Sequence, residues 1–148
     1  MSIVTKWVVL QGHEVGAGDL DAAGAVRDDV VVCWIEAARD AYLECCPALR
    51  ARAASAGCAV QCDLGSVPAG AVFEGSSSVS VSAGATEFWP DAFTLAVRIR
   101  GFGGPDDAAG NVECRVSLVD RATGAACELG DDVRDELIAL AHAAQHYN

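Results

Sequence analysis

The stretch that decides the fold is Gly18-Asp-Leu-Asp21-Ala-Ala-Gly24-Ala-Val26, which is followed by Trp34-Ile-Glu36-Ala-Ala-Arg39. It places the Asp21 carboxylate on a glycine-containing turn, directly before an apolar segment with helical spacing. The first backbone N–H groups of a helix are free donors, so a carboxylate beside them adjoins a ready site for a developing oxyanion. The stretch therefore suits acyl transfer to water.

Acidic pairs mark the start of two predicted helices. Asp28-Asp29 provide N-cap and first-turn carboxylates for a long, mostly buried helix that ends near Cys45, and Pro47 stops it. A short helix follows over 48–55. Asp131-Asp132 then predict a C-terminal helix over about 131–146.

Alternating apolar residues predict an antiparallel sheet between these helices. The expected strands cover residues 3–10, 58–64, 76–83, 86–89, 93–102, 112–119 and 125–129, with loops over 11–24 and 65–75. Helices separated from a run of consecutive strands indicate an α+β fold. The chain has 148 residues, of which 52% are hydrophobic, so we expect a single domain spanning 1–148.

The charge balance limits the possible partners. Ten basic residues against twenty-one acidic ones give a net charge of −11, which would repel nucleic acid and anionic membrane surfaces. No apolar run has the length of a membrane span, and the N-terminus reads as a strand and not as a signal peptide. We therefore expect a cytoplasmic protein that binds neither nucleic acid nor membranes.

The seven cysteines do not form a recognisable framework. Their number is odd, Cys45 and Cys46 are adjacent, and the pair Cys58 and Cys62 lacks a matching second pair. We expect buried free thiols, with no disulfide framework and no metal site.

The Asp21 stretch resembles that of hotdog-fold thioesterases of the 4-hydroxybenzoyl-CoA thioesterase type. In that family an Asp precedes a glycine-containing turn and a helix with an aromatic residue, a Glu and an Ala-Arg pair. The matching residues here are Asp21, Gly24, Val26, Trp34, Glu36, Ala38 and Arg39. A weaker likeness continues around Pro90-Asp91 and over 112–123, so the resemblance covers roughly residues 3–129.

The resemblance implies an α+β hotdog fold, in which an antiparallel sheet wraps a long central helix; here a C-terminal helix follows. It implies a homodimer or homotetramer with active sites at the dimer interface, and an acyl-CoA or acyl-carrier-protein thioester as substrate. Asp21 would be the catalytic carboxylate. The residues implied in substrate binding are Gly24, Ala25, Val26, Trp34, Glu36 and Arg39. Thioester hydrolysis needs no metal or bound cofactor, and none is expected.

Simpler structural roles remain open for the same residues. Asp21 also fits a carboxylate that closes its own turn, and Glu36 and Arg39 fit a local ion pair on one helix face. Arg98 and Arg100 share one strand face and fit either CoA phosphates or solvated charges.

Departures from the family pattern favour an alternative function. Ala25 stands where His or Val is usual, Val30 and Val31 stand where Asn and Tyr commonly begin the helix, and Arg27-Asp28-Asp29 is unusually charged. The alternative is a non-catalytic hotdog protein that binds an acyl ligand or acts as an assembly partner. A hotdog hydratase would need a paired His, and His13 lacks the matching motif.

Three further positions are weaker site candidates. Asp19 is a neighbouring carboxylate outside the matched position. His142 and His146 share a helix face at a spacing that permits metal binding, but no third ligand is evident, and both suit a helix C-terminus.

Overall fold

The computed structural model describes residues 1–3, 7–104 and 107–145. Its elements are β1 (Val8–Glu14), α1 (Asp28–Glu44), α2 (Pro47–Ala56), β2 (Cys58–Leu64), β3 (Ser78–Trp89), β4 (Ala92–Phe102), β5 (Ala108–Asp120), β6 (Ala126–Cys127) and α3 (Asp131–Gln145). Short 3₁₀ turns lie at Ala17–Asp19 and Gly70–Phe73. Among the described residues, no helix is both long and apolar enough to cross a bilayer.

The strands form one antiparallel sheet in the order β1-β3-β4-β5-β2. The two-residue strand β6 pairs with the end of β5. Among the described residues, the register is irregular between Val9 and Gln11 in β1 and between Ala85 and Glu87 in β3. β1 and β2 are therefore the two edges of the sheet, and β2 is the one with regular pairing.

The helix α1 supplies the centre of the core. Val31, Ile35 and Ala38 recur at helical spacing on one face and are fully buried. They belong to one apolar cluster with alternate residues of the central strands, such as Val81 and Val97. Burying a side chain of this size contributes about 1.5–3 kcal/mol, so this face of α1 fixes the helix on the sheet. The expected α+β architecture, with a long helix wrapped by an antiparallel sheet, is confirmed.

The C-terminal helix α3 docks on α2 through a capping contact. The two carboxylate oxygens of Glu136 accept hydrogen bonds from the N–H groups of Ala48 and Leu49, at 2.9 and 3.4 Å. These donors belong to the first turn of α2, where a helix leaves N–H groups unsatisfied. Val133 and Leu137 are fully buried beside this contact, so α3 packs as part of the core.

The expectation about the cysteines is wrong for four of the seven. Cys58 and Cys127 form a disulfide, and Cys33 and Cys45 are exposed. Cys58 pairs with Asp120 and Cys127 with Leu118, so β5 brings them together from its two sides. The two residues are 69 positions apart, and no local spacing predicts such a pair.

Element boundaries differ from the predicted ones where the sheet ladder overrides local sequence. β1 continues to Glu14, because residues 11–14 pair with β3 although a loop was expected there. β3 is one strand over Ser78–Trp89, not two segments. α3 begins at Asp131, as predicted. The predicted end of that helix at His146 lies outside the described residues.

Candidate active site

Asp21 begins a closed turn whose two sides are hydrogen-bonded. The Asp21 N–H donates to the carbonyl of Ala25 at 2.8 Å, and the Gly24 N–H donates to the carbonyl of Asp21 at 3.1 Å. Gly24 has φ +86°, a conformation that favours glycine. The turn predicted from the Asp-x-x-Gly spacing is confirmed, and it leads directly into α1.

The carboxylate of Asp21 is oriented by the backbone of this same turn. Its Oδ1 accepts hydrogen bonds from the N–H groups of Ala23 and Ala25, at 2.9 and 3.0 Å. Its Oδ2 accepts none from the described part of the chain, and the residue is exposed. One oxygen thus holds the turn closed, and the other faces solvent.

The first turn of α1 presents free backbone donors next to Asp21. Arg27 is the N-cap residue, and its side chain makes no capping hydrogen bond. Its carbonyl accepts from the N–H groups of Val30 and Val31, whereas those of Asp28 and Asp29 donate to no described residue. Two N–H groups and the positive end of the helix dipole therefore face the space beside the turn.

Asp28 does not cap its own helix as the sequence predicts. Its Oδ1 accepts a hydrogen bond from the N–H of Gly70 at 2.7 Å. The backbones meet at the same point, since a Cβ at position 70 would overlap the carbonyl oxygen of Val26. The 3₁₀ turn Gly70–Phe73 is thereby fixed against the start of α1, and it forms a wall that no local sequence pattern predicts.

These three segments enclose a cleft of about 520 Å³ that opens to solvent. It is lined by Asp21, Ala25, Val26, Arg27, Asp28, Asp29, Ala69 and Ala71. Three of these residues carry carboxylates and one carries a cation, and Arg27 forms an ion pair of 3.4 Å with Asp29. Asp21, Ala25 and Val26 are thus brought together at the cleft, and Gly24 lies in the adjoining turn.

Trp34 lies in the core and does not line the cleft. It is 5% exposed, and its ring stacks on His13 at 6.0 Å and meets the edge of Phe73 at 6.1 Å between centroids. His13 Nε2 is 3.1 Å from Gln11 Oε1. His13 is therefore engaged by Trp34 and Gln11, and it does not line the cleft with Asp21.

Glu36 and Arg39 lie further along α1, and neither lines the cleft. Arg39 Nη2 is 3.7 Å from Glu36 Oε2, and Arg39 Nε donates to Asp40 Oδ1 at 3.0 Å. The local ion pair predicted from their spacing is present. The Arg39 side chain is 17% exposed. Burial raises the pKa of the Cys62 thiol in the edge strand β2, and the charge of Arg39 partly offsets that rise.

The other candidates lie elsewhere. The Asp19 carboxylate accepts from the Gly16 N–H at 2.9 Å and closes its own 3₁₀ turn. His142 is exposed near the end of α3. Within the described ranges, no group of three or more His, Cys, Asp or Glu side chains is arranged to hold a metal ion.

The sequence of this chain matches no family model and no curated protein, but its fold matches solved structures. A 1,4-dihydroxy-2-naphthoyl-CoA thioesterase from Synechocystis superposes with a TM-score of 0.58 at 14% identity, over 88% of this chain and 95% of that one. A 4-hydroxybenzoyl-CoA thioesterase variant in complex with 4-hydroxybenzoyl-CoA gives 0.61 at 15% identity, over 90% and 99%.

A 12:0-acyl-carrier-protein thioesterase from Umbellularia californica gives a TM-score of 0.64 at 11% identity, over 88% of this chain and 52% of the plant chain. Matches at sequence identities this low show a shared fold and do not show a shared activity. Together with the helix wrapped by an antiparallel sheet, these likenesses show that the chain is a hotdog-fold protein, built like thioesterases of the 4-hydroxybenzoyl-CoA type.

Proposed function

We propose that this chain hydrolyses an acyl thioester of coenzyme A or of an acyl carrier protein, with Asp21 as the catalytic carboxylate. The observation that supports it best is the cleft in which Asp21 faces the first turn of α1. The similar solved structures named above include thioesterases for both carriers. Hydrolysis by a carboxylate needs no metal or bound cofactor.

The proposed hydrolysis would use Asp21 on one side of the cleft and the first turn of α1 on the other. The free Oδ2 of Asp21 either attacks the thioester carbonyl, expelling the thiolate and forming an anhydride that water then cleaves to the free acid and the Asp21 carboxylate, or takes a proton from a water that attacks the carbonyl. The N–H groups of Asp28 and Asp29 would hold the carbonyl oxygen as it becomes negative. The N–H of Ala25 is already bound to Asp21, so it serves the carboxylate and not the oxyanion.

The implied substrate-binding residues take different places in this proposal. Gly24, Ala25 and Val26 would approach the acyl group directly. Trp34 would support the wall formed by Gly70–Phe73, because its ring contacts Phe73. Glu36 and Arg39 are too far along α1 to line the cleft of their own chain, so they would contribute across an interface between two copies.

A homodimer, or a tetramer built from it, would form through an edge of the sheet. β2 pairs with β5 without a register shift from Cys58 to Leu64. β1 has an irregularity between Val9 and Gln11, and such irregularities discourage edge pairing. We therefore place the interface at β2, whose Cys62 lies near the half-buried Arg39.

We keep the cytoplasm as the location. Five cysteines remain free thiols among the described residues, which is typical of a reducing compartment, whereas a disulfide such as Cys58–Cys127 is rare there.

A second candidate is an acyl-binding hotdog protein without turnover. It is favoured by the two hydrogen bonds that already hold Asp21 Oδ1 in its turn, since they give this carboxylate a structural role. It is also favoured by the carboxylates of Asp28 and Asp29, which line the cleft and would repel an anionic substrate. In that case the cleft would bind an acyl chain, and Asp21 would only shape the turn.

The two candidates separate in one experiment with the purified protein and a panel of acyl-CoA and acyl-carrier-protein thioesters. Release of the free acid should be followed by chromatography, since the exposed Cys33 and Cys45 would react with thiol reagents. Turnover supports the thioesterase. A raised melting temperature with acyl-CoA and no acid released supports the binding protein.

A further inference from the structure

The strand β4 presents two arginines and a phenylalanine on the face of the sheet that lies away from α1. Val97 and Ile99 are fully buried against the core, and Arg98, Arg100 and Phe102 alternate with them on the opposite face. Arg98 is half-buried, Arg100 is exposed, and Phe102 is 47% exposed. Residues two apart on one face are separated by about 7 Å along the strand, so Arg98 and Arg100 occupy neighbouring positions of that face.

Neither arginine has an anionic partner in the described part of the chain. Arg27, Arg39, Arg115 and Arg134 all form ion pairs. Arg98 and Arg100 form none, and Arg100 instead lies over the ring of Phe102, 5.8 Å from its centroid. Two neighbouring cations without a counter-charge repel each other, and an anion bound between them removes that cost.

Polar side chains surround the two arginines on the same face. Ser80 lies opposite Arg100, and Ser82 and Asn111 lie opposite Arg98 on the flanking strands. None of these three side chains makes a hydrogen bond to another described residue, and Ser82 is 8% exposed. Arginine forks flanked by hydroxyl and amide donors match the oxygens of a phosphate group.

Nearby carboxylates limit where an anion could bind. Glu113 lies opposite Ala96, one step from Arg98, and Glu14 lies opposite Ser78 at the end of β1. Neither is paired with Arg98 or Arg100. The favourable position for phosphate is therefore over the two arginines, between these carboxylates.

The exposed ring of Phe102 adds a surface for stacking. It borders a groove of about 350 Å³ that also includes Gly12, Glu14 and Ser78. An aromatic ring with an arginine plane over it is a good platform for a purine base. Hydrogen-bond donors for phosphate and an aromatic surface on which a purine base can stack thus lie side by side at this end of the sheet.

This end of the sheet is also the end that carries the Asp21 cleft. β1 leads from Glu14 toward the Asp21 turn, and β3 begins at Ser78 just after the 3₁₀ turn that walls the cleft. The Val15 N–H donates to the Ser77 carbonyl at 2.9 Å and ties the two segments together. The cleft and the arginine face therefore lie at one end of the sheet, on its two sides.

We propose that Arg98, Arg100 and Phe102 form the subsite for the phosphorylated adenosine of a coenzyme A thioester, with the phosphates on the arginines and the adenine on Phe102. This inference rests on the proposed thioesterase function and selects coenzyme A over a carrier protein as the carrier. The long pantetheine arm would lead around the end of the sheet to the cleft.

The test is equilibrium binding of adenosine 3′,5′-bisphosphate, coenzyme A and pantetheine by calorimetry at low salt. We expect the first two to bind the wild-type protein and pantetheine to bind far more weakly. R98A/R100A should raise the Kd of both nucleotides by about tenfold or more. Raised salt should weaken binding to the wild-type protein and affect the double variant much less.

R115A is the matched control, because Arg115 lies on the same outer face but is paired with Asp91 at 3.9 Å. An equal loss of affinity in R115A would show a general effect of net charge and would overturn the subsite. So would unchanged nucleotide binding in R98A/R100A. Nucleotide binding without any thioester hydrolysis would keep the subsite and reject the proposed reaction.

Discussion

The carboxylate of Asp28 accepts a hydrogen bond from the N–H of Gly70 at 2.7 Å, across 42 residues of sequence. This bond joins the first turn of α1 to the 3₁₀ turn on the other side of the cleft. Asp28→Ala leaves the Gly70 N–H without its acceptor, and we expect a loss of about 1–3 kcal/mol in the free energy of unfolding. Urea unfolding measures it.

Asp29→Ala is the matched control for that substitution. Asp29 lies in the same turn and carries the same charge, but its side chain makes only an exposed ion pair with Arg27. Such pairs contribute about 0–1 kcal/mol. Equal destabilisation by the two variants would show that the Asp28–Gly70 bond does not fix the cleft wall.

Gly70→Ala should disrupt the same wall by steric overlap. The added Cβ would collide with the backbone of Val26, so we expect destabilisation of about 1–3 kcal/mol, measured by thermal or urea unfolding. Gly18→Ala is the control, because a Cβ there meets nothing within 4 Å. If G70A were as stable as G18A, the two backbones would not be in close contact.

Glu136→Ala should weaken the docking of α3 on α2. The substitution leaves the N–H groups of Ala48 and Leu49 without acceptors, and loss of such a cap costs about 0.5–2 kcal/mol. Hydrogen exchange should show faster opening of α3 and the start of α2. Glu128→Ala, an exposed carboxylate just before α3, should leave both protected. Equal protection in the two variants would contradict the contact.

The cysteines should differ sharply in reactivity. Burial, followed by the nearby charges of Glu136 and Cys45, raises the pKa of Cys46 to about 12. Burial also raises the pKa of Cys114 to about 11. The thiolate is the reactive form, so at pH 8 the native protein should be alkylated at the exposed Cys33 and Cys45 and spared at Cys46 and Cys114. Peptide mass spectrometry reads each site.

The same experiment in denaturant tests the disulfide. Without reductant, Cys58 and Cys127 should remain unlabelled, and reductant should make both available. Labelling of both residues before reduction would show that they are free thiols in the protein as purified.

The site could be predicted from sequence only where its parts are close in the chain. The Asp21–Gly24 turn and the start of α1 were readable because a positive-φ glycine and a helical apolar pattern are local features. The wall at Gly70–Phe73 could not be predicted from the sequence, because Gly70 contacts Val26, which is distant in the chain and is brought close only by the fold. The local sequence predicted that Asp28 caps α1, but its carboxylate accepts a hydrogen bond from the N–H of Gly70 instead.

The strand ladder explains the errors in the fold prediction. Gly12 and His13 looked like loop residues, yet their pairing with Ser80 and Val79 extends β1 to Glu14. The disulfide was missed for a similar reason, because Cys58 and Cys127 meet only across β5. In both cases the deciding partner is distant in sequence.

The central claim is that the Asp21 carboxylate performs thioester hydrolysis, and kcat of Asp21→Asn with the best acyl-CoA substrate tests it most directly. The amide can still accept the hydrogen bonds that Ala23 and Ala25 donate to Oδ1, so the turn should persist while the base or nucleophile is lost. We predict that kcat falls by about a hundredfold or more. Asp19→Asn, two residues away, should stay close to the wild type. A folded Asp21→Asn variant that retains wild-type kcat would contradict the account.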